Sequence, residues 1–119
     1  MMSESDTGDP SGRPVVVTTT TPTVEEANSI ARALVERRLA ACVQLVDPIR
    51  SVYRWEGEVH EDPEVLLVIK SLDSQLASIE RLLRELHPYE VPELLSVPIA
   101  GGSAAYLRWL DESVGVPPA

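Results

Sequence analysis

The run VVVTTTT, Val15 to Thr21, is β-branched at every position. Branching at Cβ stiffens χ1 and favours extended backbone, and a run without polar alternation reads as a strand covered on both faces. Such a strand belongs inside a sheet, so the remaining chain must supply neighbours beside it and layers above and below. Pro22 ends the run because proline has no N–H to give to a ladder. Thr23 and Glu26 then form the T-x-x-E pattern of a capping box and open a helix. Its apolar residues, Ala27, Ile30, Ala31, Leu34 and Leu39, recur at three- and four-residue spacing, opposite Glu25, Asn28, Arg32 and Glu36.

From Ala40 the pattern returns to strand. Val43 and Leu45 alternate with Gln44, and farther on Ile49, Ser51, Tyr53 and Trp55 share one face against Arg50, Val52 and Arg54 on the other. Asp47-Pro48 between the two stretches predicts a bulge or bend. Glu56 to Glu58 reads as a hairpin turn, and the return strand is VHEDPEVLLVIKS, exposed or frayed in its first half and central from Val65 to Ile69. A second helix is expected from about Ser74 to His87, with Leu76, Ile79, Leu83 and Leu86 in one stripe and Leu82 beside it. HPYEVPEL follows as a connector, then Leu94 to Ala100 as a fourth strand. Ser103 can cap a last helix with Tyr106, Leu107 and Leu110 on one side and Trp109 turned elsewhere.

The order β-α-β-β-α-β-α, with right-handed crossovers, places both long helices on one face of a four-stranded sheet. That is an α+β, ferredoxin-like split βαβ sandwich. The strands carry apolar residues on both sides, so the face without helices needs a cover, and another copy of the chain is the simplest one. The chain has 119 residues, which suits one domain. The polar start, residues 1–13, reads as a disordered tail, 14–114 as the domain, and 115–119 as a second tail.

A net charge of −9 argues against a nucleic-acid surface, which needs Lys and Arg to displace counterions from phosphate. No apolar run is long enough to span a membrane. The single cysteine, Cys42, excludes an intrachain disulfide and suits a reducing compartment, so an intracellular location is expected. Neither a nucleophile motif nor a glycine-rich phosphate loop is present, and no catalytic residue is expected; an enzyme using Lys70, His87 and Glu90 or Glu93 for proton transfer is the weakest reading.

The segments VVVTTTTPTVEEANSIARALVERRLAACV, YRWEGEV, HPYEVPEL and YLRWL stand in the order and spacing of the CutA divalent-cation-tolerance family, and the likeness runs from about residue 14 to 114. The resemblance implies a ferredoxin-like fold, a homotrimer similar in architecture to the PII signalling proteins, a cytoplasmic location and a link to copper and other divalent metals. Some bacterial members look like copper binders through a cysteine near the end of the first strand and two adjacent histidines before Pro-Tyr. Here the cysteine's position falls on Thr19 and the histidine pair becomes Leu86-His87. Threonine is a poor copper ligand and leucine is none. His87 remains as a metal ligand, and weak binding of Cu2+ or another divalent cation at an inter-subunit cleft is expected.

Read from the residues alone, Cys42 is a packed thiol among small apolar neighbours. His60 is a surface histidine, and His87 is placed to satisfy a helix C-terminus. Lys70 either snorkels from the central strand or points an ammonium into a cleft. The aromatics lie outside the helix stripes, as interface anchors often do. In a trimer the hairpin of one subunit can close over the next. That would gather Tyr53 and Trp55 with Lys70, His87, Tyr89 and Glu93 into a cleft suited to a small anionic molecule, the alternative to the metal reading.

Overall fold

The computed structural model describes residues 12–117. The expected N-terminal tail lies outside the described residues except for Gly12 and Arg13, and residues 118–119 lie outside them at the other end. The elements are β1 (Pro14–Thr21), α1 (Val24–Glu36), β2 (Cys42–Trp55), β3 (Glu58–Leu72), a single 3-10 turn (Asp73–Gln75), α2 (Leu76–Leu86), β4 (Leu95–Pro98) and α3 (Ala104–Ser113). The fold is α+β, with one four-stranded sheet in the order β2-β3-β1-β4 and every neighbouring pair antiparallel. Each pair of strands joined by a helix is therefore parallel but not adjacent. β3 separates β1 from β2, and β1 separates β3 from β4.

The caps follow the sequence closely. Thr23 Oγ1 accepts from the Glu26 N–H at 3.2 Å and donates to Glu26 Oε1 at 2.7 Å. Ser103 Oγ accepts from the Tyr106 N–H at 3.2 Å and opens α3. At Asp47-Pro48 the β2–β3 register shifts between Val46 and Ile49, as a residue without a donor requires. The turn at Glu56 and Gly57 has φ of 50° and 82°; two left-handed residues match the twist of a hairpin.

Alternation in β1 and β3 sends Val15, Val17, Val65, Leu67 and Ile69 toward the helices, where they pack with Ala27, Ile30, Leu34, Ile79, Leu82 and Leu83 in one core. Each fully buried aliphatic of this size contributes about 1.5–3 kcal/mol. Leu110 of α3 packs separately on Leu72 and Val114. The opposite face carries Val16, Leu66 and Val68, half-buried, with Val46, Leu95 and Val97 exposed at 46%, 61% and 59%. The pairs Val16–Val97 and Val46–Leu66 put these residues on a single side, which the described residues leave uncovered.

Four details differ from the sequence reading. Leu82 is buried with Ile79 and Leu83 in the core while Leu86 is exposed, and α2 gives way after Leu86 to extended backbone at His87. β4 has four residues rather than seven, bounded by its pairing with Val15 to Thr18. The acidic half of β3 alternates between exposed Glu61 and Pro63 and half-buried His60 and Asp62, and it is fully paired to β2, not frayed. Tyr106 faces Trp109, with ring centroids 5.3 Å apart, and only Leu110 of that helix is buried. No helix among the described residues is long and apolar enough to cross a membrane.

Candidate functional site

β1 stops at Thr21, opposite Val65, whereas the β2–β3 ladder continues to the Trp55–Glu58 pair. From Glu64 outward the two-stranded ribbon has no β1 beside it. The connector of residues 87–93 comes alongside instead, and between the two lies an open cleft of about 760 Å³. Tyr53 and Trp55 of β2, Glu64 of β3, and Tyr89, Glu90 and Glu93 of the connector line it.

On the ribbon, Tyr53 and His60 are cross-strand partners, and their rings stack with centroids 5.4 Å apart. The Tyr53 hydroxyl donates to Asp62 Oδ2 at 2.6 Å. That bond, reinforced by desolvation and by the Asp62 and Glu64 charges, raises the Tyr53 phenol above its ordinary value of 10.0. The Tyr89 hydroxyl donates to Glu64 Oε2 at 2.8 Å. Burial first, then this bond and the Glu64 charge, raise the Tyr89 phenol still further. Both phenols are therefore neutral donors that hold carboxylates in place.

The connector owes its path to His87. Pro88 excludes the α region for the residue before it, and His87 is extended at φ −82° and ψ 135°. Its ring is buried. Nδ1 accepts from the Tyr89 backbone N–H at 3.1 Å, so the ring hydrogen is on Nε2, which donates to the Thr20 carbonyl at 2.6 Å. Tyr89 leans over the same ring, with centroids 4.9 Å apart. His87 thus ties the connector to the end of β1. Its backbone N–H closes α2 on the Leu83 carbonyl at 2.8 Å, but the ring turns away from the helix end, with both of its nitrogens engaged.

Of the six residues expected to gather, Tyr53, Trp55, Tyr89 and Glu93 line the cleft, and they do so within one chain. His87, buried at the start of the connector, is not among the lining residues. Lys70 is elsewhere: its Nζ donates to Gln44 Oε1 at 2.6 Å on the open sheet face. Six residues of strand separate it from Glu64, roughly 20 Å at strand rise. Cys42 is the cross-strand partner of Lys70 and is half-buried. The Thr19 hydroxyl is fully buried and has no hydrogen-bond partner among the described residues. Among the described residues no group of three or more His, Cys, Asp or Glu side chains is placed to hold a metal ion.

Sequence reasoning missed Glu64, which is 7% exposed. A signal was present: an acid directly before the apolar run Val65 to Ile69, on the strand face shared with Asp62 and His60.

Comparison with known proteins places these features in context. The family model described as CutA1 divalent ion tolerance protein matches residues 15–113. The divalent-cation tolerance protein CutA of Thermus thermophilus is 49% identical over 100 residues, covering 84% of this chain and 97% of that protein. The chloroplastic protein CutA of Arabidopsis thaliana is 44% identical over 99 residues, covering 83% of this chain and 54% of its own length. The chain thus spans nearly all of the bacterial relative and about half of the plant one. A solved divalent cation tolerance protein (Cut A1) from Thermus thermophilus superposes with a TM-score of 0.84 at 48% identity, covering 86% of this chain and 99% of that one. The crystal structure of CutA1 from Oryza sativa gives 0.83 at 40% identity, covering 88% and 97%.

Proposed function

The chain belongs to the CutA1 divalent ion tolerance family, and on that premise we propose that it serves divalent-cation tolerance as a non-catalytic, cytoplasmic homotrimer whose clefts take up cations weakly, Cu2+ among them. The observation that carries this reading is the charge of the cleft. Glu64, Glu90 and Glu93 line it, and no Lys, Arg or His is among its lining residues. Carboxylates with few fixed neighbours suit weak, exchangeable cation binding. The strand order, with β3 between the parallel β1 and β2, supports a ferredoxin-like sandwich of PII type. The uncovered apolar face and the free edges of β2 and β4 support closure by further copies of the chain.

Weak binding also fits the rest of the site. His87 has both nitrogens occupied, Leu86 offers no ligand, and the Thr19 hydroxyl is buried on the strand. The alternative, a PII-like sensor holding a small anionic molecule with Lys70 and His87, requires a neighbouring subunit to bring its Lys70 to the cleft.

Titration of Cu(II) against a competing chelator tests the proposal. Wild type should bind saturably but weakly, Glu64→Gln and Glu93→Gln should bind less, and Cys42→Ala should match wild type. A sub-nanomolar site, or binding indifferent to both glutamates, would refute it.

A further inference from the structure

A carboxylate as buried as Glu64 ordinarily has a cation beside it, because desolvating a lone charge is costly. Among the described residues no ion pair reaches Glu64. The Tyr89 hydroxyl occupies one of its oxygens, and a carboxylate has room for several more donors. The Lys and Arg side chains of β2 and β3, the strands that form the ribbon, are engaged elsewhere. Lys70 is bonded to Gln44, and Arg50 lies on the other ladder face, 2.9 Å from Glu61. Arg54 reaches back to the Gly57 carbonyl. The compensating charge is therefore free to come from outside.

The walls indicate what kind of charge. Tyr53, Trp55 and Tyr89 are each partly exposed along the cleft. Aromatic faces attract ammonium groups, tryptophan most strongly. A volume of about 760 Å³ falls in the range of sites for organic molecules and far exceeds a bare ion. Pro88, Pro92 and the two His87 bonds hold the connector wall in place before anything binds.

We propose that this cleft binds an organic cation, a primary or quaternary ammonium with an apolar body, whose charge is set against Glu64 and whose body lies on Trp55 and Tyr53. The inference rests on the cation-admitting cleft of the proposed function but names a different occupant. The ammonium hydrogen-bonds Glu64 or, if quaternary, faces it electrostatically, and its apolar body covers aromatic wall that a hydrated divalent ion would leave bare.

Three probes with nearly the same body separate charge from shape: phenethylammonium, 2-phenylethanol and 3-phenylpropionate. Two-dimensional NMR of the full chain resolves the two tryptophan indole N–H signals, with Trp109→Phe assigning them. Phenethylammonium should shift the Trp55 signal saturably and bind about tenfold or more tighter than the alcohol. The anion should leave the signal unmoved. Glu64→Gln and Trp55→Leu should each weaken the ammonium about tenfold. Trp55 is on the exposed hairpin, so its variant keeps the test usable if Glu64→Gln fails to fold. Equal binding of amine and alcohol, preference for the anion, or indifference to both substitutions would overturn the inference. Mn(II) alone, read by broadening of the same signal, tells the two ideas apart. Mn(II) binding without ammonium binding overturns this inference and leaves the proposed function standing; ammonium binding without Mn(II) binding supports it and removes the metal reading.

Discussion

Replacing His87 with alanine strips the connector of its ring bond to β1 and of a second bond within the connector itself. The Thr20 carbonyl loses a donor at 2.6 Å and the Tyr89 N–H loses an acceptor at 3.1 Å, in a site where the imidazole is buried. Each group left unsatisfied costs about 1–3 kcal/mol, and the missing ring adds a small void. The Tyr89 N–H is only partly buried, which puts it at the low end, so His87→Ala should destabilise the fold by about 3 kcal/mol. For a domain of this size that lowers Tm by more than about 10 °C. His87→Gln keeps an amide that can donate toward Thr20 and should lose about half as much. Urea denaturation followed by far-ultraviolet circular dichroism measures both, at one protein concentration because assembly would couple to folding. A His87→Ala loss below about 0.5 kcal/mol would refute the argument that this histidine is a structural tie.

Three other outcomes are expected. Raised phenol pKa values mean that the folded chain holds these protons more tightly than the unfolded one, so their stabilisation is intact below about pH 10 and declines as pH rises beyond it; Tyr89→Phe should flatten the alkaline fall in stability measured by urea titration, and an unchanged slope would contradict it. Arg38 donates to the Glu112 and Gly115 carbonyls at 2.6 Å each while its own backbone sits at φ 59°; Arg38→Ala should cost about 2 kcal/mol and speed hydrogen exchange in α3, whereas Arg38→Gly, suited to that φ, should lose less. Trp55→Ala should weaken assembly in sedimentation equilibrium more than Trp109→Ala, and equal, negligible effects would tell against hairpin packing between subunits.

Element order was legible because each signal is local. The VVVTTTT run, the Thr23–Glu26 cap, the Asp47-Pro48 irregularity and the Glu56–Gly57 turn all depend on residues close to one another in the chain. Long-range facts were harder to read. Nothing local says that β1 ends opposite Val65, just short of shielding Glu64, or that the connector then runs beside the ribbon. Tyr53, Trp55, Tyr89 and Glu93 were expected to meet across two subunits, and within one chain they already line a single cleft. Lys70 lies beside Gln44 on the open sheet face, away from the cleft of its own chain, a placement set by how the strands run and pair rather than by local pattern. His87 looked like a helix cap or a ligand because its partners, the Thr20 carbonyl and the Tyr89 N–H, are backbone groups that no residue pattern advertises.

Native mass spectrometry with divalent metals tests the central claim most directly, because it reports assembly and bound ions in one spectrum. Wild type, of 13.0 kDa per chain, should fly as a trimer that retains added Cu(II) or Mn(II) in a graded, easily stripped series, and Glu64→Gln should remain trimeric while carrying fewer ions. A monomer, or a trimer whose ion load is the same with and without Glu64, would contradict the account.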